Sequence, residues 1–269
     1  MDLPLIFDKN FRFIHILFFF CFILPFIIEK DLFVCEKKNF SCTFFGYPLQ
    51  CVVRGEKMED ITTIVWDWNG TLLDDVELCM TSINRLLQEH HLPQLDHEHY
   101  QRVFQFPIIE YYRKAGFDFE QESFESLAHR YMRYYQPRSL NCSLYAHAQD
   151  VLRSFQEKGK QQVLLSASRL DYLHDQLSRY PIAPFFEEVL GIHDVYARSK
   201  ESLAQRFIAH SGIDPQGVVF AGDSVHDYEV ASAAGCRCVL IANGHEHKDK
   251  LKQCGCPVVD DISAFASLF

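Results

Sequence analysis

At 269 residues the chain has room for one large domain, or for a core domain with a smaller one inserted into it. Hydrophobic residues make up 48% and charged residues 23%, proportions that suit a globular protein with a substantial core. A net charge of −10, with no basic run to offset it, excludes a nucleic-acid backbone as the main partner. An acidic surface does not draw in phosphate esters from a distance, so any phosphate site has to be built locally.

Composition divides the chain at Met58. Residues 1–57 hold twelve of the 24 Phe, four of the ten Cys and no Ala. They carry seven Lys/Arg against six Asp/Glu, while the remainder carries 19 against 30 and so holds all the net acidity. The apolar run Phe11–Ile28 is barely long enough to span a bilayer and contains Arg12, His15 and Pro25. Three readings are open. A Phe/Ile/Lys-rich, Ala-free stretch is what translated AT-rich upstream DNA looks like, and a start at Met58 would leave a cytoplasmic protein. The others are a membrane anchor through residues 11–28 and a cleaved signal, although few basic residues precede the run and no small-x-small site follows it. The start at Met58 is the expectation, and function is read from that residue onward.

Ile61–Trp66 is a short apolar, β-branched run that reads as a buried strand. It ends in the polar turn Asp67-Trp68-Asn69-Gly70-Thr71. From about Asp75 to Glu89 the periodicity is helical, with Val76, Cys79, Met80, Ile83 and Leu87 on one side, until Leu92-Pro93 breaks it. Helices near 96–104, 107–115 and 120–136 follow, punctuated by Gly116 and Pro137, with no convincing strand among them. Residues 76–146 therefore read as a helical insertion of roughly 70 residues, about half a typical domain. Helix 147–158 then leads into strand Gln162–Ala167, and helix 169–179 into a short strand at Glu188–Leu190. Helix 199–211 precedes strand Val218–Gly222, helix 226–234 precedes strand Arg237–Ala242, and a last short helix lies near 247–253. This alternation predicts an α/β fold, a three-layer Rossmann-like sandwich on a mainly parallel sheet, formed by 58–75 with 147–269.

In such sheets ligands bind beyond the carboxyl ends of the strands, so Asp67, Ser166 and Asp223 are expected to converge. A carboxylate at a strand end can attack phosphorus and form an aspartyl-phosphate, which splits one hard displacement into two easier ones. An anion attacking an anion needs a divalent metal and fixed donors beside it. Asp223 and Asp227, in Gly222-Asp223-Ser224-Val225-His226-Asp227, offer further oxygen ligands for Mg²⁺. The Ser166 hydroxyl and Lys200 ammonium can hold phosphoryl oxygens, and Gly70 permits a tight turn that aims backbone N–H groups at them.

Taken singly these features are ordinary, since an Asp before a Gly is usually a turn residue and an Asp before a helix a common cap. In this order they resemble the four motifs of the haloacid dehalogenase superfamily: Asp67 to Thr71, Ser166, Lys200, and Gly222-Asp223 with Asp227. The inserted helices resemble the cap of its phosphoglycolate phosphatase and β-phosphoglucomutase branch. The resemblance covers nearly all of residues 60–269. It implies Asp67 as nucleophile, and Mg²⁺ on Asp67, Asp223 and the Asn69 carbonyl with Asp227 in support. It also implies phosphate contacts from Ser166, Lys200 and the segments around Trp68, Asn69, Gly70 and Ala167. A mobile cap and a small phosphorylated metabolite as substrate follow from it too. Asp74 falls where that branch has an acidic residue leading into the cap, and Arg113 is a candidate contact to the rest of the substrate.

The sequence departs from the pattern at Asn69, where phosphatases of the superfamily carry the Asp that protonates the leaving oxygen and later activates water. An amide exchanges no useful proton, and such a group is typically worth ~10²–10⁴-fold in rate. Either the substrate has a good leaving group, or His226, His147 or Tyr145 substitutes, or the chain binds a phosphorylated ligand with little turnover. Slow hydrolysis of the aspartyl-phosphate, with transfer to another acceptor, is a related reading. The pairs Cys236/Cys238 and Cys254/Cys256, with His245 and His247 between them, lack the usual zinc spacing and read as reduced, partly buried thiols.

Overall fold

The structure is a computed structural model that describes residues 58–192 and 199–269, together with a two-residue antiparallel pair, Thr43–Phe44 with Tyr47–Pro48. The run at 11–28, and with it the start or anchor at the N-terminus, lies outside the described residues. Among the described residues no helix is long and apolar enough to cross a membrane. Lys57–Phe269 make one compact unit.

Its centre is a six-stranded sheet with every neighbouring pair parallel. The strands are β1 (Thr63–Trp66), β4 (Gln161–Arg169), β5 (Glu188–Ile192), β6 (Val218–Gly222), β7 (Arg237–Ile241) and β8 (Val258–Val259), in the order β8-β7-β6-β1-β4-β5. β1 is central, and its register places Trp66 level with Leu164 of β4 and Ala221 of β6. The period of two in side-chain direction divides the strands between two cores. Ile64, Trp66, Leu164, Val219, Ala221, Val239 and Ile241 pack on α5 (Ala148–Glu157), α6 (Leu170–Leu177) and α10 (Ile262–Ala266). Val65, Val163, Leu165, Val218, Phe220, Cys238 and Leu240 pack on α7 (Lys200–Ser211) and α8 (Val225–Ala233). Helices on both faces make the three layers that the alternation predicts.

Between β1 and β4 the chain leaves through β2 (Leu73–Asp74) and returns through β3 (Ser143–Leu144), a two-residue antiparallel ribbon with Leu73 opposite Leu144. α1 (Val76–Glu89), α2 (His97–Val103), α3 (Ile108–Ala115) and α4 (Phe124–Ser139) lie between these strands and share a separate apolar cluster centred on Ile83, Leu86, Tyr100 and Leu127. The ribbon corrects the strand-free reading of this region, because two residues are too few to show an alternation. Two further expectations are revised. Pro137 lies within α4 instead of ending it, where buried Tyr135 and Ser139 hold the last turn in place despite one missing amide donor. β4 runs on to Arg169, with an irregularity after Leu165 that re-aims the residues around Ser166. β8 and α10 have no counterpart in the sequence reading. α9 (Lys248–Leu251) is the short helix near 247–253.

Candidate active site

Asp67 follows the last residue of β1, and its N–H donates to the Ala221 carbonyl of β6 at 2.9 Å, so the central strand is still paired where the carboxylate projects. Asp223 follows β6 directly. Asp227 belongs to the first turn of α8, where it and Ser224 form a reciprocal cap: Ser224 N–H and Oγ–H both donate to Asp227 Oδ2, at 3.0 and 2.6 Å. Carboxylate oxygens of Asp67, Asp223 and Asp227 all lie within 4.8 Å of one another. Lys200, the first residue of α7, drives its ammonium between them, donating to Asp67 Oδ1 and, at 2.5 Å, to Asp227 Oδ1. Lys200 and Asp227 are each 4% exposed and Asp67 11%, so Asp67 is the member of this group that solvent reaches most.

Gly70 is essential to this arrangement. Its φ is +73°, and a Cβ there would land on the Asp223 carboxylate and within 2.6 Å of His245 Cδ2. Only glycine allows both the left-handed turn and the close approach. Its N–H, however, turns inward to the Leu73 carbonyl at 3.0 Å and Asp75 Oδ1 at 2.9 Å, so it is engaged inside the protein and not aimed at a phosphate.

Burial raises the Asp67 carboxyl to about 7; Lys200 opposes that rise, while Asp227 and Asp223 add to it. Burial likewise lifts Asp223 to about 6 against the pull of His245. Burial also works on Asp227, but there the Lys200 ammonium prevails and holds the carboxyl below its usual range. Burial opposes the charge on Lys200 as well, and Asp227 and Asp67 outweigh it, so the ammonium is kept. Three carboxylates and one ammonium leave an excess of negative charge on an all-oxygen donor set. That set fits a hard divalent cation such as Mg²⁺.

Ser166 is buried, and its Oγ accepts from Ser168 N–H at 3.1 Å. Ala167 lies between these serines on β4. Trp68 is wholly buried, with its indole N–H on Gln176 Oε1 at 2.8 Å and its carbonyl receiving the N–H groups of Thr71, Leu72 and Leu73. The Asn69 amide is engaged on both sides. Nδ2 donates to Asp75 Oδ2 at 2.8 Å and to the Tyr135 hydroxyl at 2.7 Å, while Oδ1 accepts from Ser168 Oγ at 2.9 Å.

The sequence reading named Asp74, but Asp74 is exposed on the ribbon and its neighbour Asp75 is the buried one. Burial disfavours the Asp75 charge, yet His245, Tyr135 and Asn69 overcome it and hold the carboxyl low. His245, opposed by burial and supported by Asp75 and Asp223, rises to about 9 and is charged. Its Nδ1 faces the Tyr100 hydroxyl at 2.9 Å and its backbone N–H donates to Asp223 Oδ2 at 2.5 Å. Asp75, Cys79 and His245 also come within 4.8 Å of one another. They are held as an ion pair with an attendant thiol, whose pKa burial and the Asp75 charge push well above its usual value. Asp75, Tyr135, Ser168 and His245 carry no motif; their proximity to Asn69 and Asp223 arises only on folding.

Other candidates fall elsewhere. Arg113 is on the outside of α3, paired with Glu110 and lying over the Phe119 ring, and does not reach the carboxylates. The Tyr145 hydroxyl donates to the Asn243 carbonyl at 2.8 Å, and His147 is an exposed residue at the start of α5. His226 stacks on Phe106 with ring centroids 4.6 Å apart and faces Glu229 and Glu201. It lines a cavity of about 530 Å³ between the insertion and the sheet domain, with Gln105, Phe106, Tyr228, Glu246 and Lys250. Cys236, Cys238, Cys254 and Cys256 are free thiols near β7 and β8.

Comparisons with known proteins bear on the fold and the family. A phosphoglycolate phosphatase of Haemophilus influenzae is 24% identical over 216 residues, covering 76% of this chain and 96% of that protein. One from Escherichia coli O157:H7 is 25% identical over 218 residues, covering 72% and 86%. A haloacid dehalogenase-like family hydrolase from Streptococcus pneumoniae superposes with a TM-score of 0.68 at 17% identity, covering 78% of this chain and 99% of that one. Protein Tyrosine Kinase A of Mycobacterium tuberculosis shares the fold at a TM-score of 0.66 and 20% identity, covering 78% and 98%. The model of the haloacid dehalogenase-like hydrolases matches residues 64–241, a span that holds all four motifs and the insertion, and the chain belongs to that family.

Proposed function

We propose that the chain is a Mg²⁺-dependent phosphatase of a small phosphorylated metabolite, working through an aspartyl-phosphate on Asp67. The observation that carries this reading is the cluster of Asp67 and Asp223, at the carboxyl ends of adjacent parallel strands, with Asp227 from the first turn of α8 and the Lys200 ammonium between Asp67 and Asp227. Asp67, Asp223 and the Asn69 carbonyl would hold the cation, with Asp227 in support. When bound, Mg²⁺ supplies positive charge that offsets the repulsion between carboxylate and phosphate.

Asp67 attacks phosphorus, and the bond to the leaving oxygen breaks as the new P–O bond forms. Lys200 and Ser166 hold the transferring oxygens. Water then attacks the same phosphorus, releases phosphate and restores the Asp67 carboxylate. Asn69 donates no proton in either step. Substrates whose leaving group departs as a stable anion, such as acyl phosphates and anhydrides, are therefore turned over faster than alkyl esters. The four inserted helices act as the cap over this site, and their loop at Phe106 contacts the rest of the substrate.

Assay of the purified protein with Mg²⁺ on alkyl phosphates, acyl phosphates and anhydrides tests the reading. Asp67→Asn should lose more than ~10³-fold in rate, and full activity in that variant would end the mechanism. The fully engaged Asn69 amide supports a second reading, a phospho-ligand-binding protein with little turnover. That reading prevails if no ester is hydrolysed while phosphorylated ligands still raise the melting temperature.

A further inference from the structure

We propose that Asp75 is a positioning residue that requires an amide at position 69, so that Asn69 and Asp75 form an obligate amide–carboxylate pair. Asp75 is 1% exposed and lies where the chain enters the insertion. Its Oδ1 accepts from Gly70 N–H, and its Oδ2 accepts from Asn69 Nδ2 and, at 2.6 Å, from the Tyr135 hydroxyl. An ionised carboxylate can only accept, so the nitrogen side of the Asn69 amide has to face it. The oxygen side is then left for the Ser168 hydroxyl. The Asn69 side chain thus ties the nucleophile loop to the ribbon into the insertion through Asp75, to helix α4 through Tyr135, and to the segment after Ser166 through Ser168.

A carboxylate at 69 would set two anionic oxygens at hydrogen-bond distance with no proton between them. His245, 3.4 Å from the other oxygen of Asp75, offsets the charge of Asp75 and puts no proton between the two carboxylates. Exchanging the two residues removes the conflict between them, while His245 then faces an amide at 75 where it had been paired with a carboxylate. An Asn at 75 can keep its oxygen toward Gly70 N–H and turn its nitrogen toward an Asp at 69. The Tyr135 and Ser168 hydroxyls can both donate to that Asp. The number of charges is unchanged, and a carboxylate now stands two residues after the nucleophile, where it can protonate a leaving oxygen. That catalytic consequence rests on the phosphatase reading above; the pairing itself does not.

The full chain, Asn69→Asp, Asp75→Asn and the double variant are compared by thermal unfolding and by hydrolysis of an alkyl phosphate with Mg²⁺. Each single substitution is expected to lower the melting temperature by about 5 °C or more. The double variant should recover at least half of the summed loss, a departure from additivity that reports direct coupling. If Asn69→Asp does not fold, folding of the double variant supports the same conclusion. On the alkyl phosphate the double variant should exceed either single by at least ~10-fold in kcat, with KM little changed. Unfolding of Asn69→Asp at the native temperature, or a double variant that loses the sum of the singles, overturns the pairing. Equal kcat in the double variant and Asn69→Asp overturns the catalytic consequence. Recovery of stability with no hydrolysis by any of the four proteins keeps the pairing and removes the phosphatase reading.

Discussion

Lys200 shows what one side chain contributes when its ammonium is bonded within a carboxylate cluster. Asp67 and Asp227 both depend on it, and in Lys200→Met they face each other with their compensation gone. Loss of one partner of a buried pair costs about 3–5 kcal/mol, so urea unfolding should show a destabilisation of about 3 kcal/mol. Mg²⁺ should restore more of the melting temperature in this variant than in the native protein. Glu246 gives a pH test away from the cluster. Burial, against Lys250 and the Val225 N–H, lifts its carboxyl from 4.5 to about 7. The folded state therefore binds a proton that the unfolded state has released, and this contribution is present below about pH 4.5 and lost as pH rises through 7. Glu246→Gln should flatten that part of the stability curve and raise stability at pH 8 by about 2 kcal/mol, read from urea midpoints across pH.

At the scale of elements, the motif residues sit where strand ends put them, and that much was legible. Asp67, Asp223 and Lys200 each adjoin an apolar run or helix long enough to show its period, so the sequence could order them along a parallel sheet. The ribbon of β2 and β3 was not legible, because its pairing joins Leu73 to Leu144 across the whole insertion. The same distance hid Tyr135, which reaches Asn69 from α4. The insertion has its own apolar cluster, in which Leu127 is fully buried and α1 packs on α4. Leu127→Ala should cost about 2–5 kcal/mol of stability. The predicted sign is a loss of stability with the carboxylate cluster intact, checked by urea unfolding together with retained Mg²⁺ binding in calorimetry. Arg113 marks the limit of reading an element by its composition: α3 turns it outward toward Glu110.

For the molecule as a whole, a sheet with three carboxylates gathered at one end is stabilised by whatever neutralises them. At a hundred-fold excess over its dissociation constant a ligand of the folded state adds about 2.7 kcal/mol. Mg²⁺ should thus raise the melting temperature of the native protein by about 5–10 °C, reversibly on chelation, and do less in Asp223→Asn. From sequence alone came the parallel α/β architecture, the helical insertion, the ordered motif residues and the missing acid at 69. The architecture and the insertion are written in local periodicity, because a strand or helix declares itself within a few residues, while the motif order and the Asn at 69 stand out through the resemblance to the superfamily. What Asn69 does instead was decided only by tertiary structure. Its partners come from position 75 beside it, from 135 in the insertion and from 168 after another strand. Hydrogen bonds of that kind depend on side-chain direction across elements, which no local pattern records.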